Sequence, residues 1–246
     1  MTQSKRLALI DSVEWAPCYS PDHSLRNVPR WFQRHFSSSP FLDWVVLRWD
    51  ELAAHSVPEG VDGVIMSGSP RDAWEEDPVN DHMVEVVQTC LSSEIPFLGV
   101  CYGHQILGRA LGAEVGRHPE GLQLGPVRME LTAEGQQDVL FSGIEAQFEA
   151  LSGHADYVAT LPEGAVHLAS GGVTPMQSFR IGERAYGVQF HPEMDADILK
   201  FLWQPRVEDW QPRVSFDLGE RVAAIHDTPV ATKVLTNFVE HIVWAT

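Results

Sequence analysis

The chain has 246 residues, which is enough for one large domain with a sizeable core, and no linker-like stretch divides it. Its formal net charge of −17 at pH 7 argues against nucleic acid or an anionic membrane as a partner, because both require a basic face. Three widely spaced cysteines exclude a fully paired disulfide framework. With no membrane-length apolar run and no signal peptide, the sequence predicts one cytoplasmic domain over residues 1–246.

Strand-like and helix-like segments alternate along the first hundred residues. Short apolar runs predict strands, and the stretches between them have helical spacing, so the pattern indicates successive βαβ units. Such units have right-handed crossovers and form a mostly parallel sheet, with functional sites at the carboxyl ends of the strands. The predicted strands are residues 6–10, 44–49, 63–66 and 96–100, and the predicted helices are residues 25–36 and 79–92.

The second half of the chain has a different pattern. A helix is predicted over residues 103–112, followed by short strands that are separated by glycine and proline turns. We therefore expect an α/β fold with a mostly parallel central sheet, flanking helices and a small antiparallel extension. The predicted strands of this half are residues 127–131, 148–151, 167–169, 177–181 and 185–190, and a final helix is predicted over residues 230–244.

Cys101 lies where the buried strand at residues 96–100 gives way to a helix. Gly99 and Gly103 flank it at two residues' distance, which relieves crowding at a sharp elbow of the G-x-S-x-G kind. The start of the helix would present N–H groups and partial positive charge to an attacking thiolate, and the Tyr102 N–H to a developing oxyanion. A buried structural cysteine between packing glycines is the alternative, and this short motif alone does not decide between them.

His191 and Glu193 follow the predicted strand at residues 185–190. Side chains two positions apart in extended chain point the same way, and Pro192 favours that geometry at His191. Glu193 is therefore placed to accept the Nδ1–H of His191, which leaves Nε2 to exchange a proton with the Cys101 thiol. This pattern predicts a triad in the order Cys, His, Glu, whereas a capping or surface histidine is the structural alternative.

A turn of small residues follows the predicted strand that ends at residue 66. It has the sequence Ser67-Gly68-Ser69-Pro70 and would leave backbone N–H groups pointing at a substrate. Taken alone, this segment is better described as an ordinary strand-to-loop turn.

Three segments together resemble the class I glutamine amidotransferase domains, in particular free-standing members related to the glutaminase part of GMP synthase. The segments are G-V-C-Y-G-H-Q at residues 99–105, L-S-G-H-A-D-Y-V at 151–158 and G-V-Q-F-H-P-E at 187–193. The family often has Gly-Gly-Pro where this chain has Gly68-Ser69-Pro70, which keeps a backbone donor. The segment S-G-S-P-R-D-A at residues 67–73 is similar to the corresponding segment of plant-type γ-glutamyl peptidases.

The resemblance implies a thioester mechanism. Cys101 would attack the γ-carbonyl of a glutamine-like group, His191 would act as base and then as acid, and Glu193 would orient His191. The backbone N–H groups of Ser69 and Tyr102 would form the oxyanion hole. The residues implied in substrate binding are Gly68, Gln105, His154 and Asp156.

Two other signals are discounted. The run Ser170-Gly171-Gly172-Val173 resembles a phosphate-binding loop, but Thr174-Pro175 breaks that pattern, so we predict a hairpin turn and no ATP site. No third and fourth ligand accompany His154 and Asp156 at a recognised spacing, so we predict no metal and no cofactor.

Two enzymatic functions remain open at this point. The chain is either a free-standing hydrolase of a small γ-glutamyl compound, or a glutaminase subunit that passes ammonia to a separate synthetase. A binding protein on the same scaffold is the third hypothesis, which the intact triad disfavours. The acidic run at residues 75–77 is interpreted first as a solvated loop face, and its position just beyond the turn also makes it a candidate rim for a substrate that carries an amine. Trp15 and Trp74 either flank the same mouth or simply pack.

Overall fold

A nine-stranded mixed sheet organises the protein, whose computed structural model describes residues 4–37, 41–52 and 57–245. The strand order is β2-β1-β3-β4-β11-β10-β9-β6-β7, and β5 and β8 pair separately as a two-stranded sheet. The strands are β1 Lys5–Asp11, β2 Leu42–Arg48, β3 Gly63–Met66, β4 Phe97–Val100, β5 Val115–Arg117, β6 Gln123–Leu131, β7 Gln147–His154, β8 Asp156–Val158, β9 Val166–Gly171, β10 Thr174–Ile181 and β11 Ala185–Val188.

Helices cover both faces of the large sheet. One apolar cluster joins one face to α1 and to the C-terminal helices, and a second cluster joins the other face to α2 and α3. Strands β1, β3, β4 and β11 are almost wholly buried, as expected for parallel strands covered on both faces. The helices are α1 Val28–Gln33, α2 Pro78–Ser92, α3 Tyr102–Ala110, α4 Ala196–Trp203, α5 Val207–Trp210, α6 Leu218–Ala223 and α7 Lys233–Asn237.

The sheet is divided into a parallel and an antiparallel half. Strands β2, β1, β3, β4 and β11 pair in parallel, and β10, β9, β6 and β7 continue the sheet with antiparallel pairings. The predicted α/β fold with an antiparallel extension is confirmed. The extension lies in the same sheet as the parallel strands and supplies four of its nine strands.

Several element boundaries differ from the prediction. The helix expected over residues 25–36 begins at Val28, because Asn27 caps it and Pro29 occupies its first turn, and it ends as a 3₁₀ turn over Arg34–Phe36. The final helix is composite: a 3₁₀ turn over Pro229–Thr232 leads into α7, which continues as a π-helix over Phe238–Val243.

The strand predicted over residues 185–190 ends at Val188. Beyond it the Gln189 N–H still bonds to the Gln177 carbonyl of β10, and the chain then departs from this pairing, since the His191 N–H bonds to the Leu151 carbonyl of β7. The sequence prediction missed β5 and β8, which are only three residues long, and the helices α4 to α6. Within the described residues, no helix has the length and apolar composition needed to cross a bilayer.

Candidate active site

Three neighbouring parallel strands end at the candidate site. β3, β4 and β11 are adjacent in the sheet, and Ser67–Pro70, Cys101 and His191 follow their respective carboxyl ends. Loops at the carboxyl edge of a parallel sheet converge there, because all the strands run in the same direction. The sheet therefore brings together three segments that are far apart in sequence.

Cys101 occupies a strained backbone position between β4 and α3. Its φ of 51° and ψ of −99° fall in the region that favours glycine. A Cβ atom at Gly99 would lie 2.3 Å from the Gly103 carbonyl oxygen, and one at Gly103 would lie 2.5 Å from the Met66 carbonyl oxygen. Both flanking glycines are thus required by close backbone approach, which gives the elbow predicted from the G-x-C-x-G spacing.

This strain gives a prediction for stability. Cys101→Gly is expected to be more stable than Cys101→Ala by about 1 kcal/mol, because glycine relieves a strained φ that costs roughly 1–3 kcal/mol in other residues. Urea denaturation midpoints of the two variants measure the difference. At the exposed Cys18, whose φ is not positive, the same pair of changes should give the usual order with alanine the more stable. A Cys101→Ala variant at least as stable as Cys101→Gly would show that the backbone at position 101 is not strained.

His191, Glu193 and Cys101 meet beneath Gly68. The Nδ1 atom of His191 lies 2.8 Å from Oε1 of Glu193, and the Cys101 sulfur is near enough to raise the pKa of the imidazole. A Cβ atom at Gly68 would lie 3.0 Å from Cε1 of His191 and 3.6 Å from Cβ of Cys101. A side chain at this position would therefore press against the imidazole. The side chains of Cys101, His191 and Glu193 are buried, with exposed fractions of 6% or less.

The surroundings of His191 favour its charged form. Burial by itself would lower the pKa of the imidazole, but the Glu193 carboxylate and the Cys101 sulfur outweigh it and raise the pKa to about 10. The imidazolium therefore stabilises the folded state below its ordinary pKa of 6.5, and this contribution is lost as the pH rises through about 10. An imidazolium held between a carboxylate and a sulfur is suited to storing and returning a proton.

Removing the Glu193 charge is expected to lower the pKa of His191. In Glu193→Gln, the imidazole should titrate at least about one pH unit lower than in the parent chain, because an adjacent opposite charge typically shifts a pKa by 1–3 units. NMR titration of ring-labelled histidine measures this shift directly. His226, which faces Glu149 at the exposed surface, is the internal control and should not move. An unchanged His191 titration would show that the Glu193 carboxylate does not stabilise the protonated imidazole.

Backbone donors line the same side of the cleft. Tyr102 is the first residue of α3, so its N–H has no partner within the helix, and Ser69 lies in the loop after β3. In the described part of the chain, no acceptor engages either N–H. The Tyr102 hydroxyl donates to Oδ1 of Asn80 at 2.7 Å, which holds the ring away from the backbone N–H of the same residue.

Two glutamine amides form a buried network beside the thiol. Nε2 of Gln105 donates to the Asp156 carbonyl at 2.9 Å and to Oε1 of Gln189 at 3.2 Å. Nε2 of Gln189 in turn lies 3.5 Å from Sγ of Cys101. Gln105 was predicted, whereas Gln189 was missed although it belongs to the G-V-Q-F-H-P-E segment. Its inward position results from the turn at the end of β11, which the sequence pattern did not reveal.

His154 and Asp156 line the cleft with different partners. Burial lowers the pKa of His154 to about 3, and its Nδ1 lies 2.9 Å from the Asp156 carbonyl oxygen, so the imidazole is a neutral donor. Burial and the neighbouring Asp72 carboxyl raise the pKa of Asp156 to about 7, although Arg117 opposes the shift. Arg117 contacts both carboxyls, at 3.1 Å to Asp156 and 2.9 Å to Asp72. This cluster forms a polar end of the cleft.

The rim differs from the sequence prediction. Residues 75–77 do not line the cleft, because Asp77 caps α2 and pairs with Arg71, and it is Asp72 that lines it instead. Trp15 lines the cleft, whereas Trp74 lies outside it and hydrogen bonds with the Asp156 carboxyl. The described residues contain no group of three side chains suited to holding a metal ion.

Distant segments contribute supports and walls that the sequence pattern does not indicate. Arg34 donates to the Glu193 carbonyl at 2.8 Å and pairs with Asp195, which anchors the loop that carries His191. Aromatic side chains from both ends of the chain also line the cleft. No local motif marks them, since their arrangement depends on segments about 190 residues apart.

Comparison with known proteins identifies a family and several relatives that this chain resembles. A family model described as "Glutamine amidotransferase class-I" matches residues 34–198. A protein named gamma-glutamyl peptidase 3 from Arabidopsis thaliana is 33% identical over 141 residues, which are 56% of this chain and 57% of that protein. The glutamine-hydrolyzing GMP synthase of Aeropyrum pernix is 35% identical over 132 residues, or 54% of this chain and 24% of that protein. The chain thus spans about a quarter to just over half of these two relatives.

A shorter relative and a solved structure extend the comparison. One subunit of the glutamine-hydrolyzing GMP synthase of Methanococcus maripaludis is 34% identical over 146 residues, or 59% of this chain and 69% of that subunit. The crystal structure of a glutamine amidotransferase from Thermotoga maritima superposes with a TM-score of 0.76 at 21% identity, covering 98% of this chain and 99% of that one. The second similarity establishes the fold.

Proposed function

Because the chain belongs to the class I glutamine amidotransferase family, we propose that it hydrolyses the γ-glutamyl amide of glutamine or of a γ-glutamyl compound, with Cys101 as nucleophile. The observation that carries the proposal is the position of the Cys101 thiol on a strained elbow, beside an imidazole that Glu193 orients. Nucleophile, base and orienting group are recognised by such mutual geometry rather than by their order in the sequence.

The first half of the proposed reaction forms a thioester. The Cys101 thiolate adds to the γ-carbonyl carbon, and the negative charge that develops on the carbonyl oxygen is held by the N–H groups of Ser69 and Tyr102. The imidazolium of His191 then gives its proton to the departing amine, and the C–N bond breaks. Gly68 leaves space for the substrate at this point, because a side chain there would contact His191.

The second half releases glutamate. Water gives a proton to His191 as its oxygen attacks the thioester carbonyl, and the C–S bond breaks to restore the thiolate. Gln105, His154 and Asp156 line the cleft beside the thiol, and we assign the glutamyl amino and carboxylate groups to this end. The charged Asp72, Arg117 and Asp156 cluster suits a group that carries both signs of charge.

Turnover by the isolated chain tests the proposal. The purified protein is incubated with glutamine and with γ-glutamyl dipeptides, and glutamate release is followed without any partner. We expect hydrolysis of at least one γ-glutamyl compound. The nucleophile must stay reduced at every turnover, which fits a cytoplasmic setting, and the described structure holds all three cysteines as free thiols.

A glutaminase subunit that delivers ammonia to a separate synthetase is the second candidate. The observation in its favour is the similarity to a relative named as one subunit of a GMP synthase. In that case glutamate release from glutamine should stay slow until a synthetase is added. Brisk hydrolysis of γ-glutamyl dipeptides by the isolated chain would instead exclude dependence on a partner.

A glutamine-shaped chloromethyl ketone is expected to label Cys101 and to spare the other two thiols. Burial raises the pKa of Cys90 to about 12, and the exposed Cys18 does not line the cleft, so neither combines a reactive thiol with a binding site. Peptide mapping by mass spectrometry locates the label. Iodoacetamide, which has no glutamine shape, serves as control and should modify Cys18. Label found mainly on Cys18 or Cys90 would contradict the assignment.

A further inference from the structure

One half of the cleft that contains Cys101 is lined by large aromatic rings. Edge-to-face contacts form two groups of rings: the Trp15 ring lies 5.4 Å from Tyr19 and 6.0 Å from Trp31, and Trp203 lies 5.3 Å from Trp210. The Arg206 guanidinium lies over both Tyr19 and Trp203 and connects the two groups. Tyr19, Trp31 and Trp203 are only 3–4% exposed and form the packed base of this surface, so the ring area open to a ligand comes mainly from the half-buried Trp15 and Trp210. We call it the aromatic wall, which consists of Trp15, Tyr19, Trp31, Trp203 and Trp210.

The aromatic wall offers mainly ring surface to a ligand. Nε1 of Trp31 donates to the Leu25 carbonyl at 2.9 Å, and the Tyr19 hydroxyl donates to the Leu202 carbonyl. These polar atoms are therefore already engaged by backbone oxygens. A group that packs against the wall is held by apolar and ring contacts rather than by hydrogen bonds to these atoms.

The wall comes from parts of the chain that the family model does not match. The model covers residues 34–198, whereas the wall residues come from positions 15–31 and 203–210. Gly153, next to His154, lets the C-terminal part approach, since a Cβ atom there would lie 3.0 Å from both Nε1 of Trp203 and Cδ1 of Leu199. The wall thus lies in segments that flank the part matched by the family model.

Arg206 adds a positive charge at the wall. Its guanidinium lies 5.4 Å from the Tyr19 ring centroid and 5.8 Å from that of Trp203, and its side chain lines the cleft. Across residues 4–37, 41–52 and 57–245 it has no carboxylate partner. In a chain of net charge −17, an arginine without an acidic partner in a cleft is suited to an anionic group of a ligand.

The two ends of the cleft therefore fit different parts of a substrate. The Asp72, Arg117 and Asp156 cluster suits the charged amino-acid end of a glutamyl group, which leaves the aromatic wall for the amine that departs. On the basis of the proposed function, we infer that the leaving group is an aromatic amino acid, with its ring against the wall and its α-carboxylate facing Arg206. The substrate class is then a γ-glutamyl dipeptide with an aromatic C-terminal residue.

A substrate series tests this inference on the unmodified chain. We expect kcat/KM for γ-glutamylphenylalanine to exceed that for γ-glutamylalanine and glutamine by about 10- to 100-fold, the range expected for burying a phenylalanine side chain. γ-Glutamylphenethylamine, which keeps the ring but lacks the carboxylate, should react about tenfold more slowly than γ-glutamylphenylalanine. If no γ-glutamyl compound is hydrolysed, the proposed function itself fails. If all are hydrolysed at similar rates, only the leaving-group inference fails.

Variants assign the preference to individual side chains. Trp15→Ala should bring the phenylalanine-to-alanine ratio of kcat/KM close to one, whereas Trp44→Ala, a similarly half-buried tryptophan on the edge strand β2, should keep the ratio of the parent chain. Arg206→Met should remove the difference between the dipeptide and the phenethylamide. Arg221→Met is its matched control, because Arg221 also stacks on an aromatic ring, that of Phe216, and neither residue lines the cleft. A ratio unchanged by Trp15→Ala, or lost equally in a control, would overturn the inference.

Discussion

Cys101→Ala is expected to reduce hydrolysis of a γ-glutamyl amide by at least about 10⁴-fold, because the reaction then lacks the nucleophile on which the covalent intermediate forms. The backbone donors near Ser69 and Tyr102 remain in such a variant, so the residual rate reports how much these groups and substrate binding contribute alone. Glutamate release at saturating substrate measures the change in kcat.

Two controls separate lost chemistry from lost structure. Cys18→Ala removes an exposed thiol outside the cleft and should leave kcat unchanged. Alanine carries a Cβ atom as cysteine does, so Cys101→Ala leaves the backbone strain at this position unchanged. Its denaturation should therefore be cooperative, and its helical circular dichroism should match that of the parent chain. A Cys101→Ala variant that retained more than about a tenth of the parent activity would exclude Cys101 as the nucleophile.

His191→Asn is expected to slow formation of the acyl-enzyme by at least about 10³-fold. Asparagine can still accept a hydrogen bond, but it cannot carry a proton from the thiol to the departing amine. Single-turnover kinetics with a chromogenic γ-glutamyl anilide measure the acylation step separately from hydrolysis of the thioester. The loss should be largest for a poor leaving group, because that group depends most on the proton that His191 returns.

Glu193→Gln supplies the graded comparison for this prediction. It removes a charge that orients the imidazole and keeps it protonated, but it leaves the base itself in place, so the loss should be smaller than for His191→Asn. The alkaline limb of its pH–rate profile should move to lower pH, since the pKa of His191 falls when the neighbouring carboxylate is lost. Equal losses in the two variants would mean that His191 acts only as part of the packing.

The proposed catalytic residues and the aromatic wall have different origins in the chain. Cys101, His191 and Glu193 all lie within residues 34–198, the part that matches the family model, whereas the wall is built from segments on either side of it. The reaction type is therefore argued from the matched part and the identity of the leaving group from the flanking parts. This division explains why the substrate preference can be tested with variants that are remote in sequence from the proposed nucleophile.

Local signals were sufficient to predict the elbow. Gly99, Cys101 and Gly103 are close in sequence, and the change from apolar run to helical spacing occurs at Cys101 itself. Likewise His191 and Glu193 are separated only by Pro192, so their hydrogen bond follows from the geometry of three consecutive residues. Such features depend on backbone preferences that act over a few residues, and these are read directly from a sequence.

Other parts of the site depend on how distant segments pack. Gln189 reaches the thiol because β11 ends at Val188, and Arg34 reaches the loop of His191 from a helix in the first quarter of the chain. Residues 75–77 form a mostly exposed loop that does not line the cleft, because Asp77 caps α2 and pairs with Arg71. No periodicity or spacing encodes such contacts.

The sequence by itself determined the α/β class, the elbow at Cys101 and the pairing of His191 with Glu193, since these follow from apolar periodicity and from the conformations open to glycine and proline. Only the tertiary structure decided that β3, β4 and β11 lie side by side, and that the two flanking segments form the aromatic wall. The physical reason is that strand order and helix docking are set by long-range burial of apolar surface, which depends on the whole chain at once.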